Sequence, residues 1–98
     1  MNIGIKKNTD ETVIEINGRL DTVTAPDLDK AIVSDVSDDA SLVLDVKGME
    51  YISSAGLRVL LAAQKKMSKR GSMKLKNVCP DVMEVFEITG FTDILTIE

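Results

Sequence analysis

"SLVLDVKGMEYISSAGLRVLL", residues 41–61, holds a strand, a connection and the opening of a helix in one continuous reading. "SLVLDV" is short and almost uninterrupted in apolar character, the pattern of a strand covered on both faces by helices. The next helix runs from about residue 54 to residue 70 and ends in Lys65, Lys66, Lys69 and Arg70 before Gly71. Cations there suit the negative carboxyl end of the helix dipole, and the glycine suits a C-cap. Where loop meets helix stand two adjacent serines, Ser53 and Ser54. Either they merely cap the helix, or one of them is the group on which function turns.

Upstream, "NIGIKK" and "TVIEING" alternate apolar and polar residues around the turn-forming "NTDE", which predicts a hairpin. "TAPDLDKAIVSDV" predicts a first helix, with Thr24 as N-cap, Pro26 near the first turn and Leu28, Ile32 and Val36 at helical spacing. Downstream, "SMKLKNV" alternates as a strand. "PDVMEVFEIT" puts Val82, Val85, Phe86 and Thr89 on one helix face that Gly90 ends, and "DILTI" adds a last short strand. The order is ββαβαβα(β). Helices between consecutive strands require crossover connections, so the predicted fold is α/β, a mostly parallel sheet with one antiparallel strand from the opening hairpin. No linker divides residues 1–98, and a chain of this length has room for one domain.

Composition removes several function classes. Hydrophobic residues at 44% and charged residues at 29% describe a globular chain, not a disordered one. With no Trp, one Tyr and two Phe, the core must be aliphatic, with the five Met as filler. The net charge of −4 and the absence of a basic cluster leave no electrostatic footprint for direct nucleic-acid binding. The longest apolar run, residues 59–63, falls far short of the ~20 residues of a membrane span, and the amino terminus lacks a signal-peptide pattern. A cytoplasmic protein without membrane insertion is expected. The single Cys79 fits a reducing compartment and reads as a small helix-entry residue beside Pro80.

In parallel sheets the working groups gather outside the carboxyl ends of the strands. Two loops qualify: "GRLD", residues 18–21, and "KGMEYISS", residues 47–54. If their strands are neighbours, Asp21 and the serine pair share one rim. Without histidine there is no serine–histidine–acid triad, and nothing to activate Cys79. No phosphate-cradling glycine pattern occurs, and Asp21, Asp45 and Glu50 are not spaced as a calcium loop, so neither cofactor nor metal is expected. The chain reads as something acted upon, not as an enzyme.

Three ordered pieces, "INGRLD", "LVLDVKGMEYISSAGLRVLL" and "EVFEITGF", resemble the STAS domain family, and specifically the small bacterial anti-sigma factor antagonists (anti-anti-sigma factors). The resemblance spans residues 13–91. It implies a protein that, unphosphorylated, binds an anti-sigma factor with serine-kinase activity and frees the sigma factor. Phosphorylation of one serine by that kinase switches it off, and a phosphatase restores it. The family commonly shows an aspartate, the accepting serine, a second hydroxyl, then glycine and leucine. Set on Gly56 and Leu57, the motif puts Ala55 at the second hydroxyl, Ser54 at the acceptor and Ser53 at the aspartate. Asp21 matches the family's acidic residue near the kinase contact, and Glu50, Tyr51, Ile52, Ser53 and Gly56 complete the implied partner-binding surface. Ser53 departs from the pattern by carrying no charge and adding a competing hydroxyl.

Plainer roles stand beside these. Serine is a preferred N-cap, worth about 1 kcal/mol over alanine, so a serine at the helix start needs no function. Asp21 serves equally as support for the first helix, Asp45 as a ligand for loop amides, and Tyr51 and Ile52 as buried lids. Two other function classes use the same features: a non-switching STAS subunit of a signalling scaffold or lipid-transport complex, and a small enzyme pairing Ser54 with a lysine base.

Overall fold

The hairpin forms as the alternation requires. In the computed structural model, which describes residues 1–9, 11–37 and 39–98, strand β1 (Asn2–Lys7) pairs antiparallel with β2 (Thr12–Leu20), with Asn2 opposite Asn17 and Lys7 opposite Thr12. The expected "NTDE" turn closes through the Asn8 N–H donating to the Glu11 carbonyl at 2.8 Å, Asp10 lying outside the described residues. Helix α1 (Ala25–Asp35) then leads to β3 (Ser41–Ile52), α2 (Ser54–Met67), β4 (Ser72–Lys76) and α3 (Pro80–Thr89). The sheet order is β1-β2-β3-β4, with β3 parallel to both β2 and β4. This is the predicted mixed sheet.

Residues Ile14, Ile16, Leu42, Leu44, Met73 and Leu75 on one sheet face form a single core with Leu28 and Ile32 of α1, Leu57 and Leu60 of α2, and Val82 and Phe86 of α3. The helices therefore cover one face, and the expectation that β3 is covered on both is corrected. Its apolar run has another cause. Val43 points to the helix-free face yet is only 1% exposed, flanked in the ladder by Val13 and Lys74. A central strand buries such a residue between its neighbours, and lysine stems add cover. Beyond it that face is charged, with Lys6 and Glu15 paired at 2.9 Å and Lys74 and Glu98 at 3.3 Å.

The ends of the helices show where local signals were sufficient. Gly90 adopts the left-handed conformation, φ 81°, and stops α3 as expected. Helix α2 stops at Met67, three residues short of the expected end, and Gly71 closes the turn beyond it with its N–H on the Met67 carbonyl at 2.9 Å instead of acting as a left-handed cap. Helix α1 has no basic residue in its last turn; Lys66 of α2 supplies the cation, its Nζ donating to the carbonyls of Ile32 (3.0 Å) and Val36 (2.7 Å). That answers both the unsatisfied carbonyls and the negative dipole end. "DILTI" makes one parallel bridge, Ile97 beside Leu75, after a 3-10 turn over Phe91–Asp93, and is not a full strand.

Candidate functional site

Neighbouring β2 and β3 bring the two predicted loops together, but most of both loops is strand. β3 carries one extra residue at each of two register shifts, between the Glu15 and Asn17 pairings and again between Gly18 and Arg19. Such bulges reset which side chains point inward. Inward positions run Leu42, Leu44, Val46 and then Met49 and Ile52, all buried. Outward at the strand end lie Glu50, at the second extra position, and Tyr51, opposite Arg19. Gly18 takes φ 99° at this shift, a conformation side chains disfavour. The Ser53 N–H donates to the Leu20 carbonyl at 2.9 Å, so the ladder runs to the start of α2.

Asp21 organises the turn into α1. Its Oδ1 accepts the N–H groups of Val23 (3.0 Å) and Thr24 (3.1 Å) and lies 3.2 Å from the Thr24 hydroxyl. That hydroxyl donates to the Arg19 carbonyl at 2.7 Å and accepts the Asp21 N–H at 2.9 Å. Thr24 occupies the N-cap position but makes no side-chain cap bond to the helix. The Thr24 amide first, then the Val23 amide, the Thr24 hydroxyl and the nearby Arg19, hold the Asp21 carboxyl below the usual carboxylate range. Oδ2 is left to Arg19 Nε at a loose 3.6 Å, while the Arg19 guanidinium lies 4.1 Å over the Tyr51 ring. Cation and ring attract through the ring's negative face.

The serines differ. Ser53 is the N-cap residue of α2, with extended backbone, no side-chain cap bond and a buried Oγ without a hydrogen-bond partner among the described residues. Ser54 is the first helical residue and is exposed. The capping role expected of a serine is therefore positional only. α2 has no acidic residue in its first turn. It can start this close to the sheet because Gly56 is buried: a Cβ there would stand 2.7 Å from Leu20 Cγ, 2.8 Å from Ile52 Cγ1 and 3.0 Å from the Leu20 carbonyl oxygen.

Of the residues expected at a partner surface, Asp21, Ser54, Glu50 and Tyr51 come to one rim, Tyr51 being 41% exposed. Ile52, 4% exposed, and Gly56 lie beneath it and shape it from below, so neither presents a side chain outward. Sequence reading omitted Arg19 and Val23. Arg19 becomes evident once the register sets it beside Tyr51; Val23, 82% exposed, is an apolar residue between two threonines in a turn. Asp45 stands apart. It accepts the Asn77 side-chain amide at 3.0 Å and the Lys47 N–H at 3.2 Å, which lower its pKa and fit a structural role. Cys79, at the N-cap of α3, donates its thiol to the Met49 carbonyl at 3.4 Å. Among the described residues no cluster of three metal-ligating side chains occurs, and no helix is long and apolar enough to cross a membrane.

Known proteins share this architecture. The family model described as "STAS domain" matches residues 2–98. The anti-sigma-B factor antagonist of Bacillus subtilis strain 168 is 33% identical over 98 residues, covering 99% of this chain and 90% of that protein. The crystal structure of an anti-sigma factor antagonist from Mycobacterium paratuberculosis superposes with a TM-score of 0.88 at 27% identity, over 98% of this chain and 83% of the other. The phosphorylated form of the Bacillus cell fate determinant SpoIIAA gives a TM-score of 0.71 at 18% identity, over 99% and 91% of the respective chains, a likeness of fold alone.

Proposed function

The chain belongs to the STAS domain family, and from that premise we propose that it is an anti-sigma factor antagonist controlled by phosphorylation at Ser54. Unmodified, it binds an anti-sigma factor that is also a serine kinase and so frees a sigma factor; modified, it lets go. Residues 1–98 act as one STAS domain in the cytoplasm, as a binding partner and a phosphorylation substrate instead of a catalyst. A phosphatase completes the cycle. The observation that carries this reading is the exposed Ser54 hydroxyl at the first residue of α2, on the rim that also holds Asp21, Tyr51 and Val23.

The physics of the switch is local. A phosphate adds about −1.5 to −2 charges and three acceptor oxygens. It would join Asp21 and Glu50 on one rim, just where a partner must exclude water. Two like charges about 4 Å apart at an effective dielectric near 20 repel by ~4 kcal/mol. A third of that, after screening, costs about tenfold in affinity. Asp21 contributes through Oδ2, whose only partner among the described residues is the loosely placed Arg19, so the oxygen remains open to a cation on the partner.

Incubation with the kinase-active anti-sigma factor of the native host and Mg-ATP should place phosphate on Ser54, read by mass spectrometry of the peptide spanning residues 49–61. Ser54→Ala should keep the fold, measured by circular dichroism, and act as a permanently unswitched antagonist. Phosphate on Ser53 alone overturns the acceptor assignment. Equal affinities of the two forms in calorimetric titration overturn the switch and leave a non-switching STAS subunit.

A further inference from the structure

Helix α2 presents a solvent-facing stripe that begins with Ser54 and continues through Arg58, Ala62 and Lys65. Residues four apart on a helix are neighbours, about 5–6 Å between Cβ atoms, and an acid N-terminal to a base at this spacing is the favoured orientation. Arg58 is exposed and has no ion-pair or hydrogen-bond partner among the described residues. The other cation of the rim, Arg19, is already engaged by the Tyr51 ring and by Asp21. The remaining charged groups of the rim, Asp21 and Glu50, are both acidic.

Resting on the phosphorylation reading above, we propose that Arg58 is the built-in counter-cation of a phosphate on Ser54. Guanidinium suits this task because its planar fork of donors matches phosphate oxygens and remains charged throughout the physiological range. The pair runs in the same direction as the helix dipole, with the anion in the first turn and no native acid there to compete. Modification then does two things to the docking face. It adds negative charge at Ser54, and it withdraws into an intramolecular pair a guanidinium that is otherwise free for a partner. The phosphorylated chain is tightened at the first turn of α2, not loosened.

The test uses the full chain with phosphoserine installed at position 54 by genetic encoding, so it does not depend on any kinase recognising this protein. Titration followed by phosphorus NMR reads the second phosphate pKa, ordinarily near 6. It should lie lower with Arg58 than in Arg58→Gln by about 0.2–0.4 unit, and Arg58→Lys should retain part of the difference. Thermal melting of four chains closes a double-mutant cycle: serine or phosphoserine at position 54, each with native Arg58 and with the Arg58→Gln substitution. The phosphate should raise the melting temperature more when Arg58 is present. Identical pKa values and identical melting shifts in the native and Arg58→Gln backgrounds overturn the pairing. Failure of the kinase assay would overturn the switch reading while leaving this cycle's answer intact.

Discussion

Helices α1 and α2 each begin where a parallel strand ends, side by side on one rim, and their first turns are built in opposite ways. At α1 the turn is tied by side-chain bonds: Asp21 Oδ1 gathers the Val23 and Thr24 amides, and the Thr24 hydroxyl ties the turn to the Arg19 carbonyl. At α2 the cap residue's hydroxyl is buried without a partner among the described residues, the next hydroxyl faces solvent, and no acid stands in the first turn. Polar groups fixed by many bonds make a rigid reference surface. Those left unbonded at a positive helix end favour an incoming anion. The contrast separates a part of the rim that holds shape from a part suited to change.

The largest test strikes what lets the two helix starts sit together. Gly56→Val should lose about 1–3 kcal/mol through overpacking against Leu20 and Ile52. For a chain of this size that lowers the melting temperature by roughly 4–8 °C per kcal/mol. An unchanged melting temperature would show that α2 can retreat from the strand ends at little cost.

Next come the groups of the α1 turn. Thr24→Ala should cost about 1 kcal/mol in denaturant unfolding, the usual net worth of a hydrogen-bonded hydroxyl. Asp21→Asn should lower stability at neutral pH and also change its pH dependence. Because the folded pKa of Asp21 is lowered, its contribution is present above the ordinary carboxylate value near 4 and is lost as pH falls through that value toward the folded one. Asp21→Asn should therefore flatten this part of the acid-unfolding curve. A variant that keeps native stability and acid sensitivity while losing partner binding would move Asp21 from scaffold to contact alone.

The smallest expected effect is at α2. Ser53→Ala removes a hydroxyl without a partner among the described residues, so it should change stability by less than about 0.5 kcal/mol, well under the usual cost of losing a serine N-cap. If it costs as much as Thr24→Ala in the same unfolding experiment, the two helix starts are equally engaged and the contrast fails.

The elements of the fold were legible where the signal is local. The hairpin's alternation, Pro26 and Pro80 in the first turns of α1 and α3, and Gly90 at the end of α3 each state their own structure. What resisted were properties set by the sheet as a whole. The run "SLVLDV" reads as apolar on both sides whether its second face is covered by helices or, as for Val43, by adjacent strands. The strands outran their predicted ends because β3 absorbs two extra residues in bulges, and no alternation rule announces them. For the same reason Ile52 read as a candidate contact. The rim itself was legible from topology, whereas Arg19 and Val23 needed the register and the turn before they could be placed.

The two bulges of β3 give the rim slack in length at two defined places. Side-chain direction in a strand is a matter of odd and even, and each bulge is one correction to that count. Loss of a single residue between the Asp45 and Gly48 pairings would leave the chemistry of every remaining side chain intact. It would also remove the first bulge and leave Gly48 opposite Asn17, Tyr51 opposite Arg19 and Ile52 opposite Leu20, so Tyr51 would still face outward and Ile52 the core. The strand can therefore lose one residue at a bulge without turning the rim over, whereas a one-residue change that no bulge absorbs would exchange inside and outside beyond it.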